Sequence, residues 1–474
     1  MKILETKGNT EGKVSKFAGR KKGHPTSRNQ RGVNKKNYET KIKNIRLIES
    51  RLLQFIFGFH NLFSSLTRNV SSTAHIYLKG LLVCGRRNCQ LMAEQLQESN
   101  QQRLHHFITT SKWNFRQIMD VVTLQFWKRL QDLGLQDDTC LIIDETGIPK
   151  KGRHSAGVKR QYCGQVGKID NCQVGVFGAL CGGSLVNLVQ GTLFGATKKS
   201  NKIDQAQTII HHVVKELKVS VKWVCFDAFY GRDAALLAYL IKNGISFVAD
   251  VQDNLKVWME PFEMRIPVQQ EGVRGRKCKH PRPDRKAVSI KKYAAGLLAK
   301  DWKFITVRHQ SGTKKLQAWF HSREVYILNP LTNRRQLITL LIREDKDGTI
   351  KYSFCNCPGM SLKELAYRQC KRYFVEKAFR EGKRELGLNE YQTRSAESWH
   401  KHMAMVMLAQ LFLNEEKIYH YEQDKLWMTA QDVIQTLKST LQFVKRELTD
   451  LLNYILSKQP PDKRLVKNSL FLRI

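Results

Sequence analysis

The residues with the clearest chemical potential are two aspartates that close short apolar runs. Asp144 ends CLIID and is followed by Glu145-Thr146-Gly147, and Asp227 ends KWVCFD and is followed by Ala228-Phe229-Tyr230-Gly231. A carboxylate at the end of a buried strand sits where the chain breaks and backbone can approach a ligand. Acids at the ends of two neighbouring strands can share one site, although strand-terminal acids also serve as turn formers and helix caps. A third acid is better framed. Arg372, Glu376 and Lys383 fall within roughly 40 degrees of one another around a helix, while Phe374, Val375 and Ala378 lie on other sides and Phe379 blurs the division. The plainer reading of that stripe is a surface ion-pair ladder, because Arg372 and Glu376 are an i, i+4 pair. If all three acids gather, their charges repel unless divalent cations neutralise them, and hard oxygen ligands suit magnesium or manganese.

The elements that must position these residues follow from hydrophobic periodicity. After Asp137, CLIID, CQVGVFGAL and SLVNLVQGTLF read as strands, KIDQAQTIIHHVVKEL as an amphipathic helix and KWVCFD as a fourth strand. Three strands, a helix and another strand open the ribonuclease-H-like fold. A basic, Pro-containing loop (GVRGRKCKHPRPDRK) and strand-like runs such as WKFITVRH, LQAWFH and EVYIL then interrupt it, and the helical period returns from Ser361. Upstream, residues from Ile45 to about Gln136 keep helical spacing throughout. There Thr73 is placed to cap a helix, Gly85 to end it and the run after Arg86-Arg87-Asn88 to start a second, a pair that resembles a helix-turn-helix as any helical hairpin does.

The fold class expected is therefore α/β with a mixed sheet. A basic disordered arm (1–45) and an all-helical DNA-binding domain (46–136) precede a ribonuclease-H-like core in two parts (137–250 and 351–420). A β-rich insertion (251–350) separates those parts, and a helical region (421–474) follows.

Composition limits the partners. Against 42 Asp and Glu stand 80 Lys and Arg, a formal net charge of +38, which exceeds what solubility requires and points to a polyanion. Nucleic acid is favoured over a membrane surface, because the charge runs through the whole chain rather than along one amphipathic helix. The first residues lack an apolar core for a secretory signal, so a cytoplasmic protein is expected, associated with the nucleoid if its polyanionic partner is DNA. The uncharged stretch 171–197 is long enough to mimic a membrane span, yet its glycines, with Gly182-Gly183 between two β-rich runs, read as a buried hairpin. The 11 cysteines show no C-x-x-C pair and read as reduced core thiols. Cys355-x-Cys357, Cys278-x-His280 and His400-x-His402 come nearest to zinc-ligand pairs.

With these motifs assembled, the sequence resembles the DDE transposases of bacterial insertion sequences, in the cut-and-paste group with a β insertion before the last acid. The resemblance spans nearly everything after residue 45. It is most specific in DETGIPKKGRHSAGVKRQYCGQVGKIDNCQ from Asp144, DAFYG from Asp227, and VEKAFREGKRELGLNEYQTRS from Val375. The family's helix signature, Y-x-x-R-x-x-x-E-x-x-x-x-x-x-K, falls on Arg372, Glu376 and Lys383, with Gln369 in place of the tyrosine.

The resemblance implies that Asp144, Asp227 and Glu376 are the catalytic, metal-binding triad. They would hold two Mg2+ ions, with Mn2+ as a substitute, about 4 Å apart for in-line attack on a phosphodiester. Cleavage and strand joining then differ only in the nucleophile. Arg372 and Lys383 would hold phosphates. Lys150, Lys151, Lys159 and Arg160, close behind the first acid, are read as DNA-backbone contacts against a solvated basic loop. Asp250, ending ISFVAD, competes with Asp227 for the second position, and the DAFYG context favours Asp227. Trp302 and Trp319 are read as core or sheet-face side chains, although relatives use insertion residues to grip a flipped base. The expected protein binds double-stranded DNA at its element's terminal inverted repeats, pairs two ends as a homodimer, cuts them and inserts them in target DNA, without a membrane partner. The alternatives are a domesticated DNA-binding protein without catalysis and a ribonuclease-H-like nuclease.

Overall fold

The computed structural model describes residues 35–64, 69–196, 201–268, 278–309, 315–442 and 447–459. Most of the expected basic arm, residues 1–34, and part of the basic loop, 269–277, lie outside the described residues. The arm's expected end at residue 45 is corrected. Helix α1 (Lys35–Arg46) is already formed there, because Ile42 and Ile45 are buried and the Tyr38 hydroxyl donates to Asn453 at 3.0 Å.

Five further helices follow: α2 (Ile48–Phe57), α3 (Ser71–Val83), α4 (Cys89–Leu96), α5 (Gln101–Thr109) and α6 (Phe115–Asp132). Asparagine side chains at 88, 100 and 114 accept first-turn N–H groups and so start the last three. The expected helical hairpin is present, with different punctuation. Thr73 is buried inside α3 and takes a hydrogen bond from Arg103 (2.9 Å) rather than capping the helix, and the stop falls at Cys84. Arg87 turns inward, to the Leu81 carbonyl (2.9 Å) and Glu390 (3.2 Å).

The expected β and α runs appear in order: β1 (Cys140–Pro149), β2 (Lys159–Cys163), β3 (Lys168–Gly182), β4 (Leu185–Leu193), α7 (Lys202–His211), β5 (Trp223–Phe226), α8 (Ala228–Gly231), α9 (Ala234–Lys242) and β6 (Phe247–Val251). The short pieces β7 (Lys256–Val257), β8 (Met264–Arg265), β9 (Arg282–Pro283), β10 (Val288–Ser289) and α10 (Ile290–Ala295) lead to three long strands, β11 (Lys303–His309), β12 (Lys315–Asn329) and β13 (Arg334–Glu344). Strand β14 (Ile350–Cys355) and helices α11 (Leu362–Cys370), α12 (Tyr373–Glu385), α13 (Ala396–Asp424), α14 (Ala430–Thr440) and α15 (Leu448–Ser457) complete the described chain.

One mixed sheet organises the molecule, in the order β11-β12-β13-β14-β6-β5-β1-β3-β2, with β4 paired to the second half of β3. Strand β1 runs parallel to β5, and β5 runs parallel to β6. Strand β3 is antiparallel to β1, β2 and β4. The span-like apolar stretch is indeed the β3–β4 hairpin, turned at Gly183 with φ +56. It is apolar because both faces are covered. Phe177 meets Phe379 of α12 and Trp399 of α13 on one face, whereas Gly178 lies against Ile209 of α7 and Gly182 against Leu130 of α6 on the other.

The strands of the expected insertion are continuous with the core sheet: β14 pairs antiparallel with β6, and β11–β13 extend the same sheet outward. Strand β6 would otherwise present an open edge, and β14 satisfies its backbone. The helical run expected from Ser361 is broken between α11 and α12, where buried Lys371 reaches in to Asp138 (2.7 Å) and the Gly183 carbonyl (2.7 Å).

The N-terminal helices share one continuous hydrophobic core with α13 and α14. Arg51 pairs with Glu416 (2.6 Å), and the Tyr77 hydroxyl meets His402 Nδ1 (2.8 Å). Helix α13 is capped by Ser395, ends at Lys425 in the left-handed region, and is buried along most of its length. Among the described residues no helix is long and apolar enough to cross a membrane. All cysteines are free and most are buried.

Candidate active site

Strand register brings the acids together. Ile143 is level with Phe226, and Phe226 with Ala249. The residue after each is an aspartate, Asp144 and Asp250 within β1 and β6 and Asp227 just past the end of β5, so the three stand level at adjacent parallel strands about 4.8 Å apart. Sequence reading treated Asp250 as a competitor of Asp227. The sheet places both at the same level. The available signal was that ISFVAD and KWVCFD both end apolar runs in acid, but their register is a long-range property.

Arg372 ties the row to the signature helix. Its guanidinium lies 3.2 Å from Asp250, 3.4 Å from Glu376 and 3.7 Å from Asp144. The carboxylates of Asp144 and Glu376 therefore stand within roughly 10 Å of each other, spanned by one planar guanidinium. Arg372 itself sits in the break before α12, Glu376 in the first turn and Lys383 in the last. Lys383 lies about two turns further along, with its ammonium near Cys163 of β2, and burial lowers its pKa.

Burial pushes the Asp144 carboxyl up to about 7; Arg372 opposes this, and the Asp227 charge reinforces it. Burial likewise raises the Asp250 carboxyl against the pull of Arg372. Asp144 thus carries its charge at neutral pH only with difficulty. Glu145, beside it, is already matched by Lys202 (2.7 Å) and the Tyr230 hydroxyl (3.4 Å). Asp227 caps the short helix α8 by accepting from the N–H groups of Phe229 (3.0 Å) and Tyr230 (3.4 Å) through Oδ1.

The donor set fits a hard divalent cation, since it consists of carboxylate oxygens gathered around a positive guanidinium that already occupies a cation's electrostatic place. Among the described residues no three His, Cys, Asp or Glu side chains are preassembled around a common metal position. The guanidinium of Arg372 contacts Asp144, Asp250 and Glu376. A cleft of about 530 Å³ opens beside Asp227, Asp250 and Arg372, with Lys291 and Lys351 on the wall that the region 251–355 supplies.

Gly231, the last residue of DAFYG, has a steric role. A Cβ there would stand 1.9 Å from the backbone oxygen of Asp250. The residue must be glycine for α8 to lie against β6, and so for Asp227 and Asp250 to stay level. Gly231→Ala is expected to destabilise the fold by about 1–3 kcal/mol or more and to lower site activity far beyond that, through displacement of Asp227. Thermal denaturation and a nicking assay on the same preparation check this; a variant as active and stable as wild type would remove the argument.

The remaining predicted contacts divide. Lys151, Lys159 and Arg160 are exposed on the loop after β1 and on β2. Lys150 is not free: its ammonium rests on the Tyr391 ring (3.7 Å) and donates to the Tyr391 carbonyl (3.2 Å), and burial lowers its pKa to about 8. Trp319 is a half-exposed sheet-face residue against Phe304 (5.0 Å), and Trp302 is partly buried beside His321.

Sequence comparison supplies the class to which the chain belongs. Residues 61–314, more than half of the chain, match the model of the DDE superfamily endonucleases, and the chain belongs to that family. The matched span includes Asp144 and Asp227. A probable transposase for insertion sequence element IS701 from Microchaete diplosiphon is 32% identical over 170 residues, which cover 34% of this chain and 43% of that relative. The resemblance to bacterial insertion-sequence DDE transposases thus holds in the comparison, although the chain spans less than half of that relative's length. A cryo-EM structure of piggyBac transposase in a synaptic complex with hairpin DNA aligns over 90% of this chain and 86% of that one, at 11% identity and a TM-score of 0.40. That likeness is too loose to carry an argument.

Proposed function

We propose that this chain is the transposase of a bacterial insertion sequence, which binds the terminal inverted repeats of its element and carries out metal-dependent DNA cleavage and strand transfer by a cut-and-paste route. The observation that carries the proposal is that Asp144 on β1 and Asp227 at the end of the adjacent parallel strand β5 stand level, with Glu376 brought to them through Arg372. The strand order and directions from β1 to β6 support a ribonuclease-H-like core.

In this reading Asp144, Asp227 and Glu376 hold two Mg2+ ions, or Mn2+ in their place. The chemistry such ions supply is activation of a water or a 3'-hydroxyl and stabilisation of the leaving oxygen. The chain's own residues do the rest. Arg372, with its planar fork, orients the scissile phosphate beside the acids, and Lys351 and Lys383 add point charges along the DNA path. Exposed Lys151, Lys159 and Arg160 contact the backbone outside the site, and the net charge of +38 draws duplex DNA to the whole face. Synapsis of two ends calls for a homodimer.

The test is a purified-protein assay on duplexes that carry the inverted repeats flanking the gene. Nicks at the repeat ends in Mg2+, and none in chelator, are expected. Cleavage that continues in chelator, or binding with no preference for the repeats, would overturn the reading.

A further inference from the structure

Asp250 is linked to the interior by a directed chain of hydrogen bonds. A carboxylate only accepts, so the Ser353 hydroxyl must donate its proton to Asp250 Oδ1, at 2.6 Å. Its oxygen is then left to accept from the Gln369 amide, at 2.7 Å. Ser353 and Gln369 are both buried, and among the described residues the Gln369 carbonyl oxygen has no hydrogen-bond partner. The other Asp250 oxygen is ion-paired with Arg372 Nε at 3.2 Å, the shortest of that guanidinium's three carboxylate contacts. Gln369, at the position where the resembled signature has tyrosine, therefore faces inward and acts on Arg372 through Ser353 and Asp250.

An arginine paired only with Asp144 and Glu376 would compete with any cation for those two oxygens. Here the contacts to Glu376 and Asp144 are longer, at 3.4 and 3.7 Å, than the 3.2 Å contact to Asp250. We propose that Asp250, fixed by Ser353 and Gln369, is a positioning acid that anchors Arg372, so that its guanidinium can release Asp144 and Glu376 to arriving cations without leaving the site. This inference rests on the metal-binding role proposed for Asp144 and Glu376.

The test is Mn2+ binding to the full-length, DNA-free protein, read by the loss of the free-ion paramagnetic resonance signal. Wild type, Asp250→Asn, Arg372→Ala and the double variant form a cycle. Asp250→Asn is expected to weaken Mn2+ binding by about fivefold when Arg372 is present and by less than about twofold when it is absent. Ser353→Ala is expected to shift affinity in the same direction by a smaller factor, with Ser353→Thr restoring it, and this pair carries the test if Asp250→Asn does not fold. Equal weakening in both Arg372 backgrounds would make Asp250 a direct ligand and overturn the proposal, as would no weakening at all. A wild-type protein without any Mn2+ site sensitive to Asp144→Asn would instead overturn the reading on which the proposal rests.

Discussion

Replacing Asp144 or Asp227 with asparagine, or Glu376 with glutamine, is expected to lower cleavage of repeat-end DNA by on the order of 10^3-fold or more. Each change keeps the side chain's shape and removes one negative charge from a site whose remaining members cannot replace it. The three losses should be similar in size, because residues that act as one metal-binding unit fail together. Binding of the same DNA should be unchanged or slightly tighter, since a negative charge near phosphates has been removed. Asp227→Asn also tests the α8 cap, and its amide oxygen can still accept from Phe229 and Tyr230. A gel-shift titration beside the nicking assay separates the two effects. Cleavage within about tenfold of wild type in any of the three variants would remove that residue from the catalytic set.

The second large effect is on stability, and its sign follows from burial. The folded protein holds a proton on Asp144 up to about pH 7, whereas the unfolded chain releases it near 4. Between those limits the folded state binds more protons, so this residue's contribution is fully present below about pH 4 and is lost as pH rises through about 7. In chelator, Asp144→Asn should therefore be more stable than wild type at pH 8, by about 2–4 kcal/mol, and indistinguishable from it near pH 4. Saturating Mg2+ at pH 8 should close the gap, because the cation stabilises the wild-type carboxylate and has less to gain in the variant. Denaturation curves across this pH range check the claim, and parallel curves for the two proteins would contradict it.

Much of this site was legible because its parts are local. CLIID and KWVCFD are short apolar runs ending in acid, the Gly182-Gly183 break announced the β3–β4 hairpin, and the spacing of Arg372 and Glu376 placed them on one helical stripe. What was hidden depends on partners far away in sequence. The standing of Asp250 needed the register of β6 on β5, and the continuity of the insertion with the core needed the pairing of β14 with β6. Lys150 reads as a free cation beside Lys151 until Tyr391 is folded over it. Arg87 reads as part of the turn of a helical hairpin until the Leu81 carbonyl and Glu390 claim it. The break before Arg372 follows from Lys371 reaching Asp138, which no helical periodicity can reveal.

The central claim is that Asp144 is a metal ligand in a DNA-cutting site, and a change of ligand tests it most directly. Asp144→Cys exchanges a hard oxygen for a soft sulfur, which Mn2+ accepts more readily than Mg2+. Cleavage of repeat-end DNA by this variant should be nearly absent in Mg2+ and recover by about tenfold or more in Mn2+. Wild-type rates in Mg2+, or the same residual rate with both metals, would contradict the account.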